Sequence, residues 1–153
     1  MSFPKENGQL YSLYGGHGQS SYLDATNYYV GSMPQLTVAT SAVNVIKYRV
    51  PFDSWLRSIR WSWRGIPTNA SENVTWTLLI YDQFNILKDS RPVAWFPLQQ
   101  NWPASATSNA WDYFQEYKIP FKAGDQFIFL FNQTWVNNPT NVSMNIDCSF
   151  QIK

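Results

Sequence analysis

The sequence predicts an all-β fold, an antiparallel sandwich or barrel preceded by an extended arm. Three observations predict it. Apolar residues recur with a period of two and hardly ever with the roughly 3.6-residue period of a helix. Turn-forming clusters break the chain at short intervals: GSMP at 31–34, GIPTNAS at 65–71, NWPAS at 101–105, AGD at 123–125 and NNPTN at 137–141. No stretch joins helical periodicity to helix caps for long enough to make a covering helical layer.

Taken in order, residues 1–27 are rich in Gly, Ser, Gln and Tyr without alternation, a composition that cannot offset the entropy of fixing the chain. They are expected as an N-terminal arm that orders on contact, with residues 28–153 as the sandwich domain. YRVPF at 48–52 and YKIPF at 117–121 then say nearly the same thing twice. In each copy the Tyr, the aliphatic residue and the Phe share one face, and the basic residue and Pro share the other. Proline has no N–H for a ladder, so each copy predicts a strand that stops at its proline, a turn, and a strongly apolar strand. Two hairpin-like units in equivalent roles would account for the echo.

WLRSIRWSW at 55–63 sets Trp55, Ile59, Trp61 and Trp63 against Leu56, Ser58, Arg60 and Ser62, a half-exposed strand. NVTWTLLIY at 73–81 puts Val74, Trp76, Leu78 and Ile80 on one side. DQFIFLFNQT at 125–134 is apolar on both faces through Phe127, Ile128, Phe129, Leu130 and Phe131, as a central, covered strand should be. At the end, Val142, Met144, Ile146, Cys148, Phe150 and Ile152 alternate with polar residues, giving one dry and one wet face.

A chain of 153 residues fits one domain with a real core. Only 14% of residues are charged and 18% are aromatic, so the surface is built from Asn, Gln, Ser, Thr and Tyr. A formal net charge of +1, with Lys and Arg scattered, leaves no electrostatic footprint for nucleic acid. No run approaches the roughly 18 apolar residues of a membrane span, and the start of the chain lacks a secretory signal pattern. The single cysteine, Cys148, sits at an apolar position of an alternating run and is expected as a buried, inert thiol.

The order of a polar arm, YYVG, a Ser/Thr-rich step, KYRVPFDSWLRSIRW, WTLLIYD, YKIPFKAGDQFIFLF and an alternating last strand resembles the small jelly-roll sandwiches of virion surface proteins. The resemblance covers residues 28–153. It implies a single jelly-roll β-sandwich acting as a minor capsid, penton or spike subunit in the virion, with other capsid subunits as partners in a homo-oligomer. It departs at Ser54-Trp55, where that pattern has a small residue or Gly after the aspartate, which implies a different first turn. The composition also resembles that of coat proteins of turreted icosahedral viruses infecting thermophilic archaea.

Nothing in the chain spells out a catalytic centre, a metal site or a cofactor site, so a non-enzymatic protein is expected. The lone His17 sits in YGGHGQSS without a nearby carboxylate. Asp53, Asp82, Asp112 and Asp125 mostly lie beside turns, where an aspartate caps its own backbone. Gly15-Gly16 is followed by no Lys-Ser/Thr and no helix, unlike a phosphate loop.

Two surface signals remain. Asn69, Asn73, Asn132 and Asn141 each begin a glycosylation triplet, four where composition alone gives roughly two. The chain also holds eight Trp, too many for one small core. Trp95, Trp102 and Trp111, in the loop-rich 91–111 stretch, are candidates either for a subunit interface or for stacking on a host-surface glycan in a lectin-like module.

Overall fold

The computed structural model describes residues 8–21, 27–32, 45–66, 73–97, 109–134 and 140–153. Among them lie the strands β1 (Leu10–Ser21), β2 (Asn27–Val30), β3 (Tyr48–Arg49), β4 (Ser54–Ile66), β5 (Asn73–Tyr81), β6 (Leu87–Pro97), β7 (Asn109–Phe121), β8 (Gln126–Thr134) and β9 (Thr140–Ile152). They build two antiparallel sheets packed face to face. One is ordered β1-β9-β4-β7 and the other β2-β8-β5-β6, with β3 beside β8 along the same edge as β2. The pairs β1 with β9, β2 with β8, β4 with β7 and β5 with β6 nest one inside the next along the chain. That nesting fits a single jelly roll, one long antiparallel ribbon folded over itself.

Residues 10–21 depart from the expected arm. They form β1, paired with β9 in unbroken register from Leu10↔Gln151 to Gln19↔Val142. The physical reason is that β9, itself strongly alternating, offers a ladder that satisfies a Gly-rich backbone whose own side chains carry no pattern. Tyr11 and Leu13 pack against the core while Leu10, Ser12 and Tyr14 face solvent.

The core between the sheets is aromatic. Trp61, Trp76, Phe121, Phe127, Phe129, Phe131 and Phe150 are all but fully buried, and the Trp61 and Trp76 rings meet across the two sheets with centroids 5.8 Å apart. Ile146, Cys148, Phe150 and Ile152 point inward from β9 as their alternation predicts. Burial pushes the Cys148 thiol well up, with Asp147 adding to it, so it stays an unreactive thiol. β8 is the covered strand expected of it. Phe127, Phe129 and Phe131 face the core, while Ile128 on the opposite face is sealed under a second cluster with Val45 and Leu79.

The face of β4 differs from the expected one. The register slips between Leu56 and Ser58, where Arg57 is extra relative to β9, so Leu56, Ile59 and Trp61 all point inward and Trp55 is turned outward. There its ring is met by the ammonium groups of Lys153 at 4.2 Å and Lys118 at 5.2 Å.

The echoed pentapeptides turn out to be neighbours, and not hairpins. The first leaves β3 in one sheet for β4 in the other, and the second leaves β7 for β8 in the reverse direction. At this shared corner Val50 N–H donates to the Asp125 carbonyl (2.9 Å) and Gly124 N–H to the Val50 carbonyl (2.8 Å). Gly124, at φ +89°, takes a turn that side chains rarely adopt. Pro120 is tolerated because β7 is an edge strand. The repetition is thus two sheet crossings laid side by side.

Tyr48, stacked on Phe127, has a buried hydroxyl with no hydrogen-bond partner among the described residues, whereas the Tyr117 hydroxyl donates to the Val93 carbonyl across the gap between the sheets. Burial raises the pKa of both phenols far above the ordinary tyrosine value. They stay protonated in the folded chain while an unfolded tyrosine ionises near pH ~10. The penalty for ionising them is therefore absent below about pH 10, and stability falls as pH rises from there toward the folded values. Tyr48→Phe is expected to be neutral or stabilising by about 1 kcal/mol at neutral pH, because it deletes an unsatisfied buried group, and to flatten the alkaline fall. Urea titrations on either side of the tyrosine range check both. A loss above about 1 kcal/mol at neutral pH would mean the hydroxyl is bonded.

Candidate functional site

The tight connections gather at one rim. The 50–53 and 122–125 crossings, the β5–β6 turn, the start of β1 and the end of β9 all meet there. Its aspartates serve the backbone. Asp53 Oδ1 accepts from Ala123 N–H (2.8 Å), and Asp82 Oδ1 accepts from Phe84 N–H (2.8 Å) and Ile86 N–H (3.0 Å). Asp125, only 4% exposed, accepts from Lys122 N–H (2.9 Å) and is bridged by Lys88 Nζ (2.8 Å). Asp82 and Asp125 thus cap their own turns as expected, whereas Asp53 departs from that expectation and caps the other crossing.

Between the turns lies an open recess of about 330 Å³, lined by Asp82, Gln83, Phe84, Lys88, Lys122, Ala123 and Asp125. Both carboxylates are already committed, one to its own turn and the other to Lys88. Among the exposed groups of this rim, which include Lys122 and Lys153, one cluster is apolar. The Asp82 cap and Asn85, at φ +68°, hold the β5–β6 tip in one shape, and that tip presents Phe84, Ile86 and Leu87, the first of them 73% exposed. No alternation or turn cluster in the sequence marks this tip. FNIL at 84–87, four residues on one short turn, was the available signal.

The strand ends at the opposite rim carry most of the sequence-derived candidates. Asn73 opens β5, opposite Pro97 and Thr134, and Asn141 follows the first residue of β9. Asn132 lies within β8 opposite Asn27 and Thr75, and its Nδ2 donates to Asn27 Oδ1 (2.8 Å). Trp95 and Trp111 belong to strands, not to a loop. Trp95 sits in β6 opposite Thr75 in one sheet, and Trp111 in β7 opposite Trp63 in the other. Asn69 and Trp102 fall outside the described residues, and His17 lies in β1 opposite Met144. Among the described residues no three His, Cys, Asp or Glu side chains gather as metal ligands, and no helix is long and apolar enough to cross a membrane.

No family model and no curated protein matches the chain. Solved structures share its fold. The structure of the infectious bursal disease virus Gx strain superposes with a TM-score of 0.52 at 9% identity, over 96% of this chain and 33% of that one. Its sandwich resembles one found in a virus. A CocE/NonD family hydrolase from Staphylococcus aureus gives 0.53 at 8% identity, over 98% of this chain and 37% of that one. The chain therefore spans about a third of either neighbour, and at such identities the likeness is one of fold alone. Neither is a turreted virus of archaea, so that narrower resemblance gains nothing from them.

Proposed function

We propose that this chain is a virion structural protein, a minor capsid, penton or spike subunit whose work is assembly and not catalysis. The observation that carries the reading is the exterior of the sandwich. Its turns hold Asp53, Asp82 and Asp125 in hydrogen bonds to backbone amides and project Phe84, Ile86 and Leu87 into solvent, where a partner surface would cover them. The fold likeness to a virus supports it, as does the order of motifs along the chain. Its partners on this reading are further capsid subunits, itself included.

A second reading, a carbohydrate-binding or receptor-binding module, is favoured by the placement of Trp95 and Trp111 toward one rim, in opposite sheets. Light scattering over a concentration series, run beside a glycan array, separates the two. Concentration-dependent oligomers that retain no sugar are expected. A monomer at every concentration that retains a particular sugar would put the second reading in place of the first.

A further inference from the structure

We propose that the free edge of β1 is an assembly contact, adding antiparallel to β1 of a second copy and joining two four-stranded sheets into a continuous one. The proposal names the surface for the assembly reading and rests on it. An unpaired strand edge is a template for another strand, and proteins blunt such edges with charges, prolines, bulges or brevity. Three of the four edges here are blunted. β2 is four residues long. β6 carries Lys88, Asp89, Arg91, Pro92 and Pro97, and its register against β5 breaks twice. β7 carries Asp112, Glu116, Lys118 and Pro120.

β1 has none of these devices. It is twelve residues long, LYSLYGGHGQSS, with no Asp, Glu, Lys, Arg or Pro and no break in its register. Among the described residues nothing pairs with its outer side. Ile152 N–H donates to the Gln9 carbonyl (2.9 Å), which fixes the parity of the ladder. Odd-numbered residues from Gln9 exchange hydrogen bonds with β9, and even-numbered ones from Leu10 turn N–H and C=O to the free edge. Beside that edge stand Leu10, 63% exposed, and Tyr14, 70% exposed.

The occupant follows from charge and symmetry. A strand without charge approaches its own copy without repulsion, and a two-fold axis can pair a strand with itself only in the antiparallel sense. Leu10 and Tyr14 of both copies would then be covered together, as in strand addition generally.

The test uses the purified full chain. Hydrogen exchange followed by NMR reads the amides of Ser12 and Tyr14 separately from those of Tyr11 and Leu13. The odd-numbered amides should be protected throughout, and the even-numbered ones should slow by at least about tenfold as light scattering reports a dimer. Ser12→Lys sets like charges into the symmetric contact, and Ser12→Pro deletes an outward N–H, yet neither touches a β1–β9 hydrogen bond. Both should abolish the slowing and the dimer, and Ser12→Lys should keep the native near-UV spectrum if the proline variant does not fold. Oligomers with unprotected even-numbered amides, or oligomers that survive Ser12→Lys, would overturn this contact and leave assembly through another surface standing. A chain monomeric at every concentration would overturn both.

Discussion

Phe129→Ala is expected to lose about 3–5 kcal/mol of unfolding free energy, the range for a truncated core phenylalanine. Phe129 is fully buried at the middle of β8, which is flanked by β2 and β3 on one side and by β5 on the other. Its ring stands nearly edge-on to four others, with centroids 6.2 Å from Tyr48, 6.4 Å from Trp61, 6.1 Å from Trp76 and 5.9 Å from Phe127. Those rings are held by their own strands, so the cavity cannot collapse and the upper part of the range applies. Chemical denaturation measures it, with Tm falling by about 10 °C. A loss under about 1 kcal/mol would show β8 to be peripheral.

Gly31→Ala should cost about 3 kcal/mol through crowding instead of a cavity. A Cβ at Gly31 would lie 2.0 Å from the Ile46 carbonyl oxygen and 2.3 Å from Val45 Cγ1. The first contact is with backbone that cannot rotate aside, and Ser32 N–H donates to that same oxygen at 2.9 Å. Making room would break this bond and lift Val45 from Ile128 and Leu79, uncovering the outer face of the central strand. Denaturant melts of Gly31→Ala beside the wild type decide it. A change within about 0.5 kcal/mol would mean the two segments do not touch.

Where side-chain burial dictates structure, the sequence was legible. β9 alternates because one face is dry, and β8 is apolar throughout because both of its faces are covered. Where backbone pairing decides, it was not. The bulge at Arg57 leaves no mark in the hydrophobic pattern, since Trp55 and Leu56 are both apolar and only the register against β9 chooses which turns inward. β1 was hidden for a related reason, because a Gly-rich strand is specified by its partner's ladder more than by its own residues. The prolines marked the corner correctly but not that its two copies lie together, 70 residues apart in the bond from Ala123 to Asp53. Asp82 and Asp125 were legible because an Asx cap is local, and Asp53 was not, because the turn it caps is brought to it by the fold. The apolar tip was not, because a short run of exposed apolar residues looks like the start of a strand.

The pairing of β1 with β9 also orders events in time. Leu10 meets Gln151, 141 positions later in the chain (151 − 10). At a synthesis rate of about 5–20 residues per second, β1 leaves the ribosome on the order of ten seconds before its partner exists. Of the described strands the first made is thus bonded only once β9 has emerged, and the non-local closure that joins them is slow. Through that interval both sides of the uncharged β1 stand open, so the nascent protein's hazard and the mature protein's proposed contact are one stretch of backbone seen at two ages.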